Sequence, residues 1–216
     1  MSVKGLFITG IGTDVGKTVA SAIITKALQA DYWKPVQCGD LTNSDSVKIE
    51  GLTGLKTLPE AFRLNAPMSP HAAADIEGVE LSIDKFELPQ SDKTIVVEGA
   101  GGVLVPLSST ETYLDLMVKL NLPVVLVTRH YLGSINHTML SWNVLKSAGI
   151  NVIALVISGT PNTNTESYFA TQINVPFIRI NKLEELNMKT VTVEAERLKS
   201  KINVMISLLI PPVNYL

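Results

Sequence analysis

The sequence contains few of the residues that characterise disulfide-rich, zinc-binding or nucleic-acid-binding proteins. Cys38 is the single cysteine among 216 residues, which excludes an internal disulfide and a cysteine-rich metal site. The three histidines, His71, His130 and His137, lack the i, i+4 spacing of a helical zinc site. A formal net charge of −2 at pH 7 gives no electrostatic basis for binding nucleic acid or an acidic membrane. We therefore expect neither a nucleic acid nor a membrane as partner.

Long hydrophobic segments are also missing. No apolar run approaches the length of a membrane span, and Gly10 interrupts the first apolar run before it reaches the length of a signal-peptide core. These absences lead us to expect a cytoplasmic protein. Hydrophobic residues nevertheless make up 46% of the chain and charged residues 18%, which is enough apolar material for a buried core. We interpret residues 1–216 as a single domain.

A glycine-rich segment at residues 10–18 carries the strongest signal, with the sequence Gly-Ile-Gly-Thr-Asp-Val-Gly-Lys-Thr. It follows an apolar run at residues 5–9 and precedes a helix-like stretch at 18–30. Backbone N–H groups in such a turn surround a phosphate, Lys17 adds a full positive charge, and Thr18 can ligate Mg²⁺. Five residues separate Gly10 from Gly16, one more than in the common form of this motif. We interpret the segment as a phosphate-binding loop.

Apolar runs of strand length alternate with helix-length periodic segments along the chain. Strands are predicted at residues 3–9, 32–36, 94–98, 123–128, 151–158 and 175–180. Helices are predicted at residues 18–30, from 45, at 71–76, from 82, and at 112–120, 134–148, 165–173 and 192–209, with residues 51–70 irregular. Because the apolar runs are continuous, the sheet should be covered on both faces. The sequence therefore predicts an α/β, doubly wound fold of the P-loop NTPase type, with a mostly parallel sheet flanked by helices.

Polar or glycine residues follow five of the predicted strands and would meet at the carboxyl edge of the sheet. Glu98 ends a strand of β-branched residues and precedes Gly-Ala-Gly-Gly at residues 99–102. We interpret Glu98 and Thr18 as Mg²⁺ ligands, since Mg²⁺ prefers oxygen ligands and keeps several waters. Asp45 is a weaker candidate for the same ion, because an aspartate at a helix start is often only a partner of the helix dipole.

Two further positions stay open between a functional and a structural interpretation. Lys34 would neutralise the charge that develops when an oxygen attacks a γ-phosphate, although surface lysines are common. Gly133, Ser134 and Asn136 open a predicted helix whose free N–H groups suit a substrate carboxylate. The same segment would also fit ordinary helix capping by Ser134.

These residues together resemble the motifs of the dethiobiotin synthetases, ATP-dependent enzymes of biotin formation. The resemblance runs from about residue 3 to residue 158 and rests on six motifs that occur in order. They are the loop at 10–18, Lys-Pro-Val at 34–36, Asn-Ser-Asp at 43–45, Ser-Pro-His at 69–71, Val-Glu-Gly-Ala-Gly-Gly at 97–102 with Pro-Leu at 106–107, and Leu-Gly-Ser-Ile-Asn-His at 132–137. Each motif alone is weak, whereas the ordered set is specific.

The resemblance implies a reaction and a set of site residues. CO₂ would join one amine of 7,8-diaminononanoate, ATP would phosphorylate the carbamate, and the second amine would close the ring. Lys17 and Lys34 would be catalytic, and Thr18, Asp45 and Glu98 would hold Mg²⁺. ATP would contact Thr13, Asp14, Val15, Gly16, Lys17, Thr18, Val19, Asp45, Glu98, Gly99, Ala100, Gly101, Gly159 and Thr160. The substrate would contact Cys38, Gly101, Gly133, Ser134 and Asn136, and because residues 133–136 come from the neighbouring subunit in this family, a homodimer is implied.

The chain departs from the family pattern at several of these positions. Cys38 stands where members often have serine, and a thiol is a weaker hydrogen-bond partner than a hydroxyl. Gly159 and Thr160 replace an Asn-Asp pair that reads adenine in better-known members. Asn-Lys-Leu at residues 181–183 replaces a common Pro-Trp-Leu, and Tyr131 replaces a basic residue.

Two other classes of P-loop protein share the phosphate loop. An amidoligase of the cobyrinic-acid type adds a glutaminase domain with a nucleophilic cysteine, and Cys38 does not match that position. A partitioning-type switch ATPase carries an extra lysine near the start of its loop and often a basic tail. Residues 9–16 contain no lysine and residues 202–210 are apolar, which disfavours this alternative.

Overall fold

The computed structural model describes residues 4–207, and a seven-stranded parallel sheet lies at their centre. The sheet has the strand order β4-β2-β6-β1-β7-β8-β9, and β3 pairs with β5 in a separate parallel ribbon. The strands are β1 (Gly5–Gly10), β2 (Asp31–Trp33), β3 (Val36–Cys38), β4 (Thr57–Leu58), β5 (Phe62–Leu64), β6 (Ile95–Glu98), β7 (Val124–Arg129), β8 (Val152–Ser158) and β9 (Phe177–Ile180).

Helices connect the strands and cover the sheet. They are α1 (Lys17–Leu28), α2 (Asp45–Thr53), α3 (Pro70–Glu77), α4 (Tyr113–Leu120), α5 (Ser134–Ser147), α6 (Thr163–Gln172) and α7 (Met188–Ser207), with short 3₁₀ turns at Leu41–Asn43 and Ile83–Lys85. Helix α1 packs against both α2 and α7. Every residue of β1 and of β6 is buried, as expected for strands covered on both faces. The prediction of a doubly wound, parallel α/β fold is confirmed.

The end of β1 lies at the point where the order in which the chain adds strands to the sheet reverses. Strand β1 pairs with β6 on one side and with β7 on the other, so the chain winds outward from it both ways. In sheets of this kind a crevice opens beyond the carboxyl ends of the central strands. The glycine-rich segment at residues 10–18 follows β1 directly and therefore lies in that crevice.

Several predicted elements differ from the observed ones. The strand predicted at 32–36 is two strands, because Pro35 has no N–H to donate to a sheet ladder and the chain leaves the main sheet after Trp33. Residues 51–70, predicted to be irregular, contain the end of α2 together with β4 and β5. The helix predicted from Ser82 is only a 3₁₀ turn, since Phe86 adopts an extended backbone and is fully buried.

The last helix begins earlier than predicted. Helix α7 starts at Met188 because the Asn187 side chain accepts a hydrogen bond from the Thr190 N–H at 3.0 Å. Residues 208–209 of the predicted helix, residue 3 of the first predicted strand and the apolar tail beyond Ser207 lie outside the described residues. Among residues 4–207, no helix combines the length and the apolar character needed to cross a membrane.

Candidate active site

The phosphate-loop candidate has the backbone of an anion-binding turn. Gly16 precedes α1 with φ of 95°, and Asp14 is also left-handed at 57°. A Cβ at position 16 would lie 2.8 Å from Ser158 Oγ, so both the conformation and the space require glycine. Lys17 then begins α1, and its Nζ donates to the Gly12 carbonyl at 2.7 Å. The Lys17 side chain thus folds back over the loop, and the free N–H groups at the start of α1 lie at the end of the loop.

Lys17 is 7% exposed, and its surroundings affect its charge. Burial lowers the pKa of its ammonium group to about 8, and this effect outweighs the opposing attraction of the Glu98 carboxylate. An anion bound in the loop would stabilise the charged form of Lys17 in place of the lost water. The loop is therefore electrostatically prepared for phosphate.

A second buried lysine lies between two carboxylates. Lys34 Nζ lies 2.6 Å from Asp45 Oδ2 and 3.2 Å from Glu98 Oε1, and it also donates to the Gly99 carbonyl at 3.2 Å. Burial alone would lower the pKa of Lys34, but the charges of Glu98 and Asp45 outweigh it and raise that pKa. Burial would likewise raise the pKa of Asp45, but the Lys34 ammonium holds it below its usual value. The Lys34 ammonium and the Asp45 carboxylate therefore stabilise each other's charged forms.

The oxygens that the sequence assigned to Mg²⁺ come together. Thr18 Oγ1 donates to Glu98 Oε1 at 3.0 Å and lies 3.4 Å from Asp45 Oδ1. Among residues 4–207 no group of three or more His, Cys, Asp or Glu side chains could hold a metal. Two carboxylates and one hydroxyl nevertheless fit Mg²⁺, which takes few protein ligands and fills its octahedron with water and phosphate oxygens.

Local structure explains why Asp45 points into the site. Ser44 caps α2 by accepting a hydrogen bond from the Val47 N–H, and Asp45 begins the helix. The Asp45 N–H donates to Gln37 Oε1 at 3.1 Å, and the Gln37 amide donates to the Gly39 carbonyl at 2.9 Å. Gln37, in β3, was missed at the sequence level. The sequence signal would have been a glutamine three residues after Lys34. It indicates a site residue only once β3 is known to leave the main sheet.

Two adjoining cavities contain most of the predicted residues. The first has a volume of about 440 Å³. The second has a volume of about 420 Å³ and includes Cys38. Gly99 contributes its carbonyl to Lys34, and Val15 is buried beneath the loop. The first cavity is lined by Thr13, Asp14, Gly16, Lys17, Thr18, Val19, Lys34, Asp45, Glu98, Ala100 and Gly101. The two cavities share Thr13, Lys34, Asp45, Ala100 and Gly101.

Besides Val15 and Gly99, five predicted residues line neither cavity. Gly159 and Thr160 follow β8, where the Gly159 carbonyl accepts from Arg179 Nη1 at 2.8 Å and its N–H donates to the Ile180 carbonyl at 3.2 Å. Gly133 precedes α5 with φ of 102° and no side-chain cap is made, so capping by Ser134 is wrong. Instead Ser134 is buried and accepts from the Tyr131 N–H at 3.3 Å, while Asn136 is exposed.

Comparison with solved structures supports the fold. A ParA family ATPase from Chlorobium tepidum matches with a TM-score of 0.52 and 12% identity, covering 95% of this chain and 96% of that one. The signal recognition particle receptor FtsY from Elizabethkingia anophelis, in complex with GDP, matches with a TM-score of 0.52 and 13% identity, covering 90% of this chain and 64% of that one. At these identities the likeness shows a shared fold alone.

Comparison of sequences is more specific. A family model described as an AAA domain matches residues 4–203. An ATP-dependent dethiobiotin synthetase from Christiangramia forsetii is 54% identical over 167 residues, which are 76% of this chain and 80% of that protein. A protein of the same name from Cytophaga hutchinsonii is 42% identical over 199 residues, which are 90% of this chain and 97% of that protein. The chain therefore belongs to the family of ATP-dependent dethiobiotin synthetases.

Proposed function

We propose that the protein carboxylates and cyclises 7,8-diaminononanoate to dethiobiotin, with ATP as co-substrate. The observation that carries this proposal is the pair of buried lysines, one in the phosphate loop and one at the junction of the two cavities. A nucleotide phosphate in the first cavity and a carbamate in the second would then meet at Lys34. The 54% identity to a named dethiobiotin synthetase supports the choice of substrate.

The reaction balances in three steps. One amine of the substrate attacks CO₂ and loses a proton, which gives a carbamate. A carbamate oxygen attacks the γ-phosphorus, and the bond from that phosphorus to the ADP oxygen breaks. The second amine attacks the carbonyl carbon of the mixed anhydride, loses a proton and expels phosphate, which closes the cyclic urea. The protein contributes chiefly positioning and charge stabilisation to such a phosphoryl transfer.

We assign the phosphates to the loop and to its lysine. Residues 13–19 would surround the triphosphate with backbone N–H groups, and Lys17 would pair with its outer oxygens. Lys34 lies beyond Lys17 on the substrate side, where it would stabilise charge on the transferred phosphoryl group and on the carbamate. Gly159 and Thr160 would lie close to the nucleotide, because Ser158 immediately before them lies beside Gly16 of the phosphate loop.

Mg²⁺ would be held by Thr18, Asp45 and Glu98. When bound, it would neutralise charge on the phosphate oxygens. The proximity of these three oxygen donors and their hard character support the assignment. The substrate would occupy the second cavity beside Cys38 and Gly101, within reach of Lys34.

We also propose a cytoplasmic homodimer in which α5 of one subunit serves the site of the other. Gly133, Ser134 and Asn136 lie away from both cavities of their own chain, yet the helix start that they form suits a carboxylate. An apolar cavity of about 380 Å³ lies between residues 102–106 and α5. Leu132 and Leu140, just before and within α5, and Leu104, in residues 102–106, have exposed side chains. Exposed apolar patches of this kind mark interaction surfaces.

A partitioning-type switch ATPase is the alternative function, and it has less support. The match to a ParA family ATPase is at 12% identity, whereas the match to a dethiobiotin synthetase is at 54%. The second cavity beside Lys34 also suits a small substrate rather than a protein partner.

Product formation tests the proposal directly. Purified protein incubated with diaminononanoate, bicarbonate, ATP and Mg²⁺ should yield dethiobiotin, measured by mass spectrometry. Lys34→Ala should lose at least about a hundredfold in turnover while ATP analogues still bind, because a residue that stabilises developing charge contributes a factor of about 10²–10³. Lys93→Ala, an exposed lysine paired with Asp31, is the control and should behave as the wild type.

The outcomes separate the alternatives. ATP turnover without substrate and without dethiobiotin would overturn the ligase and favour the switch ATPase. Loss of nucleotide binding in Lys34→Ala would show that Lys34 belongs to the phosphate site only. Repeating the assay with GTP and CTP tests whether residues 159–160 discriminate the base.

A further inference from the structure

Glu98 receives hydrogen bonds from three side chains, and the proposed function uses only two of them. Thr18 and Lys34 both donate to Oε1, at 3.0 and 3.2 Å. The third donor is the hydroxyl of Tyr32, which lies 3.1 Å from the other oxygen, Oε2. Tyr32 is 0% exposed and Glu98 is 1% exposed, so water does not compete for this contact. The two oxygens of one carboxylate thus have different partners.

The pairing of β2 with β6 explains how Tyr32 reaches Glu98. The parallel register sets Tyr32 beside Val96 and Trp33 beside Val97, so Lys34 comes level with Glu98. Side chains two residues apart on a strand point to the same face of the sheet. Tyr32 and Lys34 therefore approach Glu98 from one face, whereas the Trp33 indole turns away and donates to the Pro59 carbonyl at 3.0 Å. The strand delivers a neutral donor and a charged donor to the same carboxylate.

We propose that Tyr32 is a positioning residue for the metal site, because its hydroxyl holds Glu98 with Oε1 turned towards Thr18 and Asp45. This inference rests on the proposed function, since it takes Glu98 as a Mg²⁺ ligand. A ligating carboxylate needs a partner for its second oxygen, and such partners fix the orientation of the ligand. Without Tyr32, the buried Oε2 lacks a donor, and the carboxylate gains by rotating Oε2 towards Lys34 instead.

Metal binding tests the proposal without turnover. Mn²⁺ serves as the probe, and the free ion is counted by electron paramagnetic resonance in the presence of protein and ADP. Tyr32→Phe should bind Mn²⁺ about tenfold more weakly than the wild type, the lower end of the effect of losing such a partner. Binding of ADP without metal should be unchanged. In the steady state, the Mg²⁺ concentration for half-maximal rate should rise by about the same factor while kcat at saturating Mg²⁺ is retained.

Tyr113→Phe is the matched control. Tyr113 is also fully buried, and among residues 4–207 no hydrogen bond joins its hydroxyl to Glu98, Asp45 or Thr18. The Tyr113→Phe protein should therefore bind Mn²⁺ as the wild type does. Glu98→Gln provides the reference for loss of the ligand itself and should weaken Mn²⁺ binding by more than Tyr32→Phe.

Three results would overturn the proposal. The first is a Tyr32→Phe protein with a lowered melting temperature and wild-type Mn²⁺ affinity, which would mean a packing role only. The second is an equal loss of affinity in Tyr32→Phe and Tyr113→Phe. The third is unchanged affinity in Glu98→Gln, which would remove the ligand that Tyr32 is held to position. Absence of dethiobiotin from the wild type would instead contradict the proposed function, so the two failures are distinguishable.

Discussion

At the scale of residues, the two lysines of the site differ in how their charge is balanced. Lys34 is paired with the carboxylates of Asp45 and Glu98, which makes burial of its charge tolerable. Lys17 has no ion pair with a carboxylate in the described part of the chain and donates only to the Gly12 carbonyl. Burial lowers the pKa of Lys17 to about 8, and the attraction of nearby carboxylates is too weak to offset it. The missing counter-charge is therefore at the phosphate loop, where an incoming anion would provide it.

Cys38 offers a test of the second cavity. Burial raises the pKa of its thiol to about 11, so the thiol is protonated at neutral pH and the thiolate is scarce. Alkylation by iodoacetamide should be slow at pH 7 and should accelerate about tenfold per pH unit until the pH approaches that pKa. Cys38→Ser should lower the KM for the diamine by about two- to tenfold, the equivalent of a neutral hydrogen bond of about 0.5–1.5 kcal/mol.

Cys38→Ala is the control for this change, because it removes the donor and keeps the space. Cys38→Ala should show no such decrease in the KM for the diamine. The same KM in the wild type and in both variants would show that the side chain at position 38 does not touch the substrate.

The sequence predicted those site residues that belong to a short motif or end a recognisable strand. Lys17 and Thr18 belong to one short motif at a helix start, and Glu98 ends a visible apolar strand, so each carries its own signal. Gln37 and Tyr32 carry no such signal. Their roles depend on which strands become neighbours, since Gln37 reaches Asp45 from the small ribbon and Tyr32 reaches Glu98 across β2 and β6.

At the scale of elements, long periodic segments were predictable and short strands were not. The central strands β1, β7 and β8 have enough consecutive apolar residues to be recognised. Strands β3, β4 and β5 have two or three residues each, and their hydrogen bonds come from partners far along the chain. No local pattern can specify such strands, because tertiary pairing decides whether they form.

Helix α4 allows the contribution of an element boundary to be measured. Asp115 accepts from both the N–H and the hydroxyl of Thr112, each at 2.7 Å, at the start of the helix that follows the glycine-rich segment 99–102. Asp115→Ala should lower the free energy of unfolding by about 1 kcal/mol, the usual effect of losing a cap, in urea denaturation monitored by circular dichroism.

The affinity for ADP should not change in Asp115→Ala, because Asp115 lines neither cavity. Asp84→Ala is the matched control, since its 94% exposed side chain makes only a long surface ion pair with Lys119 and should contribute almost nothing. Equal stabilities of the two variants would contradict the capping role.

At the scale of the whole molecule, the fold explains why distant segments converge. The winding of the sheet outward from β1 brings the ends of β2 and β6 beside the phosphate loop, so Lys34 and Glu98 meet Thr18. The general architecture could be predicted from alternating strands and helices. The position of residues 133–136 could not be predicted in the same way, because α5 begins away from both cavities although its first turn has the pattern of an anion site.

Exchange of subunits between two inactive variants tests whether that surface belongs to a second copy. Lys34→Ala damages the part of the site that lies between the two cavities, and Asn136→Asp places a negative charge where the substrate carboxylate is expected. Each homodimer should be inactive. Random exchange in a 1:1 mixture makes half of the dimers mixed, each with one intact site of two, so about a quarter of wild-type activity should return. Sedimentation should give the mass of a dimer, whereas a monomer, or a dimeric mixture without recovered activity, would contradict the shared site.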